Sequence, residues 1–438
     1  MSNNEIAEGF NMTELGPLPE GWAVARLDDV IDKTKQKDPR KTPDQRFKYI
    51  DVSSISREAL KIAEYKLYQG KDAPSRAKKL VKNKDVIFAT VRPTLKRLTL
   101  IDGEFDGKIC STAFCVLRAR ENTLSPPYMF YAIQRDVFIN ELGKIQRGAS
   151  YPAVTDSDVK NQKIPLPPLP EQHRIAAVLS AVQDAKEKTG AVIAAAKSLK
   201  KSLMRHLFTY GPVPAGAAES AVLMETEIGL VPEGWEVVRL GDVSDFKNGI
   251  NFTKDQKGKS GILTIDVFNM YSEGIHANLK SLYRVDKRIK ENYLLRNGDI
   301  LFVRSSLKRE GVGWASLFRE TQEPVTFCGF IIRARMKSNE IYPEFLTNYL
   351  RTATAREDLI ASSGKVAITN INQGMLGKIP IPIPPLSTQQ KIVTTLSTVD
   401  KKIEAEENKK KALDELFKSL LHNLMTGKIR VNHLEAIP

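Results

Sequence analysis

LPEGWAVARLDDV, residues 18–30, returns with few changes as VPEGWEVVRLGDV at residues 231–243, an offset of 213 positions. Downstream, KDVIFATVR (84–92) answers to GDILFVRSS (298–306), matching Asp85 with Asp299 and Phe88 with Phe302 at offset 214. VLRAR (116–120) answers to IIRAR (331–335) at 215, Pro127 to Pro343 at 216, and AVT (153–155) to AIT (367–369) at 214. KIPLPPLPEQHRI (163–175) pairs with KIPIPIPPLSTQQKI (378–392). From Leu169 and Leu386 the offset holds at 217, through KSLMRHLFT (201–209) and KSLLHNLMT (418–426). Drift in single steps predicts small loop-length changes at several places.

A period near 215 residues is far too long for a solenoid repeat and reads as duplication of a domain with its connector. The expected division is a first variable domain over 1–161, a helical spacer over 162–211, a second variable domain over 212–377 and a second spacer over 378–438. The frames align almost without gaps, whereas the blocks between them align only at framework strands. The scaffold is duplicated and the payload differs.

Each Pro-rich exit must precede a helix, because proline inside one lacks the amide donor and clashes with the preceding turn. About 38 Pro-free residues follow, enough for a helix of roughly 57 Å. Ile175, Val178, Val182, Ala185, Thr189, Val192, Ala196, Leu199 and Leu203 recur at spacings of three and four, as do Ile392, Leu396, Val399, Ile403, Leu413, Leu416, Leu420 and Leu424. This is a narrow seam of coiled-coil type. Two copies of equal length predict antiparallel pairing as a rigid spacer.

The formal net charge is +14, and it is unevenly placed. Residues 31–161 hold 26 basic against 16 acidic side chains and residues 244–377 hold 20 against 14, while the remainder hold 20 against 22. The excess belongs to the variable blocks, which points to a polyanionic partner. Phosphate contacts need Lys and Arg on a common face, and base readout needs Arg, Lys, Asn or Gln at groove edges. Candidates cluster after the framework strands: Arg92, Lys96 and Arg97 in VRPTLKR, and Arg304, Lys308 and Arg309 in VRSSLKRE. Further along lie Lys144, Gln146, Arg147, Ser150 and Tyr151 in GKIQRGASYP, and Ser362, Ser363 and Lys365 in ASSGKVAIT.

Catalytic readings fail on spacing. SPPY (125–128) has the form of an amino-methyltransferase tetrapeptide, but its counterpart is YPEF and no glycine-rich cofactor loop accompanies it; a proline at a helix first turn explains it. GKS (258–260) lacks the P-loop glycine, which would fall at Thr253. Cys110, Cys115 and Cys328 read as buried thiols rather than a disulfide framework, and the five histidines show no metal-ligand spacing. No apolar run reaches membrane-span length and no signal peptide is recognisable, so a cytoplasmic, membrane-free protein is expected. Trp22 and Trp235 are candidates for core anchors or for a partner surface.

PEGW followed by VxRLxDV, the IPxPP exit, and long helices ending KSLM/LxxLxT, each twice and in order, resemble the specificity (S) subunits of type I restriction-modification enzymes over nearly the whole chain. The resemblance implies an α+β fold: two α/β target recognition domains related by pseudo-two-fold duplication, joined and spaced by two long antiparallel coiled-coil helices. It implies a non-catalytic subunit that recognises a bipartite, asymmetric sequence in double-stranded DNA. Two methyltransferase subunits and, in the full enzyme, two restriction subunits would then be its partners. S-adenosylmethionine, ATP and Mg would belong to those partners, with no cofactor on this chain. Frames and exposed helix faces, recurring in both halves, are the expected docking surface. The second exit departs from the first by an extra Pro-Ile step and by TQQK for EQHR. A structural adaptor on a coiled coil, or a specificity module of another modification system, are the competing readings.

Overall fold

The computed structural model describes residues 8–361 and 369–431. The chain divides into two compact units, Met1–Ala191 with Asn408–Pro438, and Val192–Glu407. Both are built on the same framework strands.

A hairpin opens each unit, Phe10–Thr13 with Gly16–Pro19 and Leu223–Thr226 with Gly229–Pro232. Its turn is closed by one device in both: the Thr13 hydroxyl donates to the Gly16 carbonyl at 2.6 Å, and Thr226 does the same to Gly229 at 2.7 Å. The PEGW turn follows. Gly21 and Gly234 hold φ of +84° and +81°, a region that a side chain disfavours, and the turn drops Trp22 and Trp235 into the cores at 8% and 6% exposure. Both tryptophans are therefore core anchors. The next strand, Ala23–Arg26 or Glu236–Arg239, pairs antiparallel with the exit strand, Lys163–Leu166 or Pro380–Ile383. Prolines are tolerated in these exit strands because each ribbon has two strands only, so the missing amide leaves no second neighbour unpaired.

Two four-stranded sheets form the body of each variable domain. In the first unit one sheet runs Ile31–Asp32, Phe114–Ala119, Val86–Ala89, Leu98–Leu100, and its counterpart runs Ser244–Asn248, Ile331–Met336, Ile300–Val303, Ala315–Leu317. The other sheet contains a parallel pair in both units, Ile109–Ser111 beside Arg46–Ile50 and Val325–Phe327 beside Ile262–Ile265. Val86–Ala89 and Ile300–Val303 are buried at every position, as expected of central strands covered on both faces.

Buried polar contacts fix the register between the halves. Arg118 grips Asp85 with two hydrogen bonds of 2.8 and 2.7 Å, and Arg335 grips Asp299 with two of 2.7 Å; both carboxylates are 1% exposed. Arg118 thus corresponds to Arg335, at offset 217, and the expected match of VLRAR with IIRAR at 215 is two residues out. Likewise the proline helices begin at Pro126 and Pro343, so Pro127 is not the counterpart of Pro343. Val154 and Ile371, rather than AVT and AIT, occupy the same place, each donating its amide to the residue after the central strand, Thr90 or Arg304. Short shared words misled the alignment because a two-letter motif recurs by chance, whereas a buried ion pair cannot slide. The structural offset is 214 at Phe88 and Phe302 and 217 from Leu98 and Ala315 onward. All three extra residues lie in the loop between.

A glutamine clamps each long helix to its unit. The Gln172 carbonyl oxygen accepts from the Ser125 amide (2.8 Å) while its amide donates to the Thr123 and Pro167 carbonyls at 3.1 and 2.9 Å. Gln389 repeats all three bonds with Tyr342, Glu340 and Pro384, at 2.8, 2.9 and 2.9 Å. The helices span Leu169–Tyr210 and Leu386–Met425. They pack antiparallel: Lys186 pairs with Asp414 (2.7 Å) in the first unit, and Lys197 with Glu407 (2.9 Å) and Lys200 with Asp400 (2.6 Å) in the second. The seam departs from expectation. Val192, Leu199 and Leu416 are exposed, and Leu179, Ile193 and Leu207 are buried in their stead. Ile175, Thr189, Ile392, Leu396, Ile403 and Leu424 of the expected stripe are buried, so the departure is local to Val192, Leu199 and Leu416.

Candidate nucleic-acid interface

In the first unit the chain leaves the strand Val86–Ala89 through Thr90, whose amide and hydroxyl both donate to the Ala113 carbonyl. It then turns sharply. Arg92 and Lys96 take left-handed conformations (φ 51° and 50°) around the single turn Pro93–Leu95, which non-glycine residues adopt only when the surroundings hold them there. Here the hold is a second segment: the Arg92 amide donates to the Pro152 carbonyl at 2.6 Å, and Arg147 and Ala153 exchange two backbone bonds of 2.9 and 2.8 Å. The Arg92 guanidinium donates to the Ser150 carbonyl (3.1 Å) and lies 5.1 Å from the centre of the Tyr151 ring, which is 71% exposed. Arg92, Arg147, Ser150 and Tyr151 are thereby gathered on one exposed ledge. Arg147 is steered by Asp158 at 3.4 Å.

The remaining first-unit candidates are directed elsewhere. Lys96 reaches the Gln134 carbonyl (3.1 Å) and Asp136 (2.7 Å), and Arg97 donates to the Val52 carbonyl at 2.8 Å. Lys144 pairs with Glu141 along its own helix at 2.6 Å, and the Gln146 side-chain oxygen is buried without a hydrogen-bond partner among the described residues.

The second unit builds its ledge differently. The Arg304 amide donates to the Phe330 carbonyl (2.8 Å), its carbonyl accepts from Ile371 (2.9 Å), and Ser305–Ser306 pairs antiparallel with Thr369–Asn370. Lys308 and Arg309 are exposed beyond it. Ser362, Ser363 and Lys365 lie outside the described residues. The sequence reading missed the apolar side of this ledge: Leu307 is 88% and Phe330 61% exposed. The signal was present in CGFIIRAR, where Phe330 precedes a strand whose first four residues are all buried. Tyr271 joins them, its hydroxyl donating to the Gly311 carbonyl at 3.4 Å.

Behind the loop, Trp314 has the Arg351 guanidinium 4.7 Å and the Arg356 guanidinium 5.6 Å from its ring centre, a cation–π arrangement that stiffens the loop's base. Arg351 donates to the Gly274 and Ala315 carbonyls (both 2.7 Å) and the Ser316 hydroxyl (3.0 Å), and burial pushes its pKa down to about 10. It remains a cation at neutral pH.

Neither the SPPY tetrapeptide nor the cysteines take part in a catalytic constellation among the described residues. Tyr128 of SPPY is fully buried with its hydroxyl donating to the Pro165 carbonyl at 2.8 Å, so it braces the exit strand. All three cysteines are buried, and burial raises the Cys115 and Cys328 thiols to about 12, which leaves them protonated and unreactive. Among the described residues no cluster of His, Cys, Asp or Glu has the makings of a metal site, and no helix is long and apolar enough to cross a membrane.

A duplicated α/β scaffold whose length changes, from the central strand onward, only at one basic loop defines a recognition protein with two distinct payloads. The model of the type I restriction modification DNA specificity domain matches residues 19–194 and again 232–415. The chain belongs to that family, the type I restriction-modification specificity subunits, with two target recognition domains. It is 27% identical over 433 residues to the type I restriction enzyme MjaVIII specificity subunit of Methanocaldococcus jannaschii, covering 95% of each chain. It is 26% identical to the StySPI specificity subunit of Salmonella potsdam, covering 86% of this chain and 82% of that one. A solved chain from work on complex assembly and conformational transition of the type I R-M system is 30% identical, with TM-score 0.59 and coverage of 94% and 99%. The S subunit from M. genitalium, 16% identical, shares the fold at TM-score 0.58.

Proposed function

We propose that this subunit reads a bipartite, asymmetric sequence in double-stranded DNA, one half with each target recognition domain, and that it docks two methyltransferase subunits and, in the full enzyme, two restriction subunits. Chemistry and its cofactors, S-adenosylmethionine, ATP and Mg, reside on those partners, in the cytoplasm. The observation that carries the reading is the single length change between the halves, which falls in the basic loop after the central strand and nowhere else from that strand to the end of the second helix. A scaffold kept constant around one variable basic loop is what two different half-sites require, since identical payloads would read a palindrome. Arg92, Arg147, Ser150 and Tyr151 serve one half-site, and Arg304, Lys308 and Arg309, flanked by Leu307 and Phe330, serve the other. Arginine suits guanine and phosphate alike, and the exposed apolar groups suit thymine methyls.

The test is long-read sequencing of the host genome for methylated adenine, with and without the gene. A two-part motif with a constant gap should vanish on deletion. With the partners present, Arg92→Ala should weaken DNA binding about tenfold, the worth of one good base or phosphate contact, with relaxed selection at one half of the motif only. An unchanged methylation pattern in a host shown to express the methyltransferase would favour the adaptor reading.

A further inference from the structure

The first unit contains a cavity of about 850 Å³, within the range of sites that enclose a ligand. Its apolar lining comes from the opening hairpin, Phe10 and Met12, and from the second long helix, Phe417 and Leu421. Its charged lining comprises six Lys and Arg against two acids, Glu58 and Asp136. Lys96 and Lys186 are already paired, with Asp136 and Asp414.

Arg135 is different. It is 8% exposed and lines this cavity, and among the described residues no acceptor lies within hydrogen-bonding distance of its guanidinium. Burial lowers its pKa, yet an arginine stays charged at neutral pH. Its nitrogens are not sealed from the cavity, so water there solvates the charge until a stronger acceptor takes its place. The corresponding junction of the second unit shows the alternative: Arg351, one position earlier in structural register, is spent on two carbonyls and a hydroxyl. Arg135 is held in place with its donors unspent.

We propose that this cavity receives a carboxylate-bearing apolar peptide segment of a partner protein, with the carboxylate paired to Arg135 and the apolar side chains laid against Phe10, Met12, Phe417 and Leu421. The planar guanidinium favours a carboxylate gripped by two parallel bonds. Duplex DNA offers phosphate but only isolated thymine methyls in its groove, which cannot enter the cavity to cover those walls, and a free inorganic anion leaves most of the volume unfilled. The site does not depend on the assignment of the DNA-reading ledge, since Arg135, Phe10 and Phe417 take no part in it.

The test uses the full chain and two fluorescent libraries of about 12-residue peptides, one rich in Leu, Phe, Asp and Glu, the other with Asn and Gln replacing the acids. Acidic peptides should bind, amide peptides should not, and Arg135→Gln should weaken the acidic binders at least about tenfold. Hydrogen exchange on the bound chain should show protection at residues 134–137 and 417–422. Binding that survives Arg135→Gln, equal binding of the amide library, or a response to Arg135→Gln confined to inorganic phosphate or a DNA duplex overturns the proposal. Arg135→Met separates ligand from fold: a melting temperature at or above that of the unsubstituted chain supports an arginine kept for a ligand. A drop of several degrees shows that it serves packing, and sinks the idea.

Discussion

The loop after the central strand has eight residues (90–97) in the first unit and eleven (304–314) in the second, and the two are held by different means. The shorter is wound on a single turn between two left-handed residues and tied to Ser150 and Pro152. The longer is ironed into a short antiparallel pairing with Thr369–Asn370 and backed by Trp314 between two arginines. Beneath both, the arginine–aspartate grip and the glutamine clamp are the same to within tenths of an ångström. Sequence can drift freely where the chain faces solvent, and a gripped carboxylate or a clamped glutamine cannot drift without a folding penalty. The halves therefore differ where a ligand would judge them and agree where the core does.

The strongest way to break that comparison is to remove one grip at a time. Arg118→Met and Arg335→Met each leave a fully buried carboxylate without its partner, which costs about 3 kcal/mol. Urea denaturation should show both losses, equal to within about 1 kcal/mol because burial and bond lengths match. One tolerated substitution beside one damaging one would show that the two scaffolds are not energetically equivalent.

A smaller effect should appear in one unit alone. Glu171 accepts the Trp22 indole N–H at 3.0 Å and two bonds from Arg430 at 2.7 and 3.1 Å, whereas the same helix position in the second half is Thr388. Arg430→Ala strands a carboxylate whose side chain is 5% exposed, at a cost of about 2 kcal/mol. Thr388→Ala should change stability by less than about 0.5 kcal/mol. Comparable losses at both positions would mean that Thr388 has a role of its own and that this asymmetry is superficial.

Much of the scaffold was legible because its signals are local and redundant. The PEGW turn needs a left-handed glycine, the exit needs prolines, and the helices need an apolar stripe, each written twice. What was illegible depended on which face wins in three dimensions. Val192 and Leu199 keep the right spacing yet face solvent, in the stretch where Lys200 pairs with Asp400 across the helices. Lys96 and Arg97 belong to the right loop but are spent on Asp136 and the Val52 carbonyl, and no spacing rule distinguishes them from Arg92. The three shared words that misplaced the register failed for a related reason: identity of letters carries no depth, and the buried pair of Asp299 with Arg335 does.

The finest contrast lies at the two helix junctions. The second unit's carries His276, whose ring nitrogens lie 3.4 Å from Arg319. Burial, then Arg319 and Arg351, push its pKa down to about 4 against the opposing pull of Asp400. The ring is neutral when folded at pH 6, whereas in the unfolded chain it takes up a proton near pH 6.5. Between those two values the unfolded state binds more protons, so stability must fall as pH is lowered from about 6.5 to about 4 and change no further below that. Allowing for partial exposure of the ring, the loss is about 1–2 kcal/mol. His276→Gln keeps a neutral polar side chain and removes the titration, so melting curves of the two proteins should lie closest above pH 6.5 and separate toward pH 4, where only the unsubstituted chain has lost this stability. A constant difference across that range would mean that the ring takes up its proton equally in the folded and unfolded chain, and that the arginines around it are screened by more solvent than the packing of this unit admits.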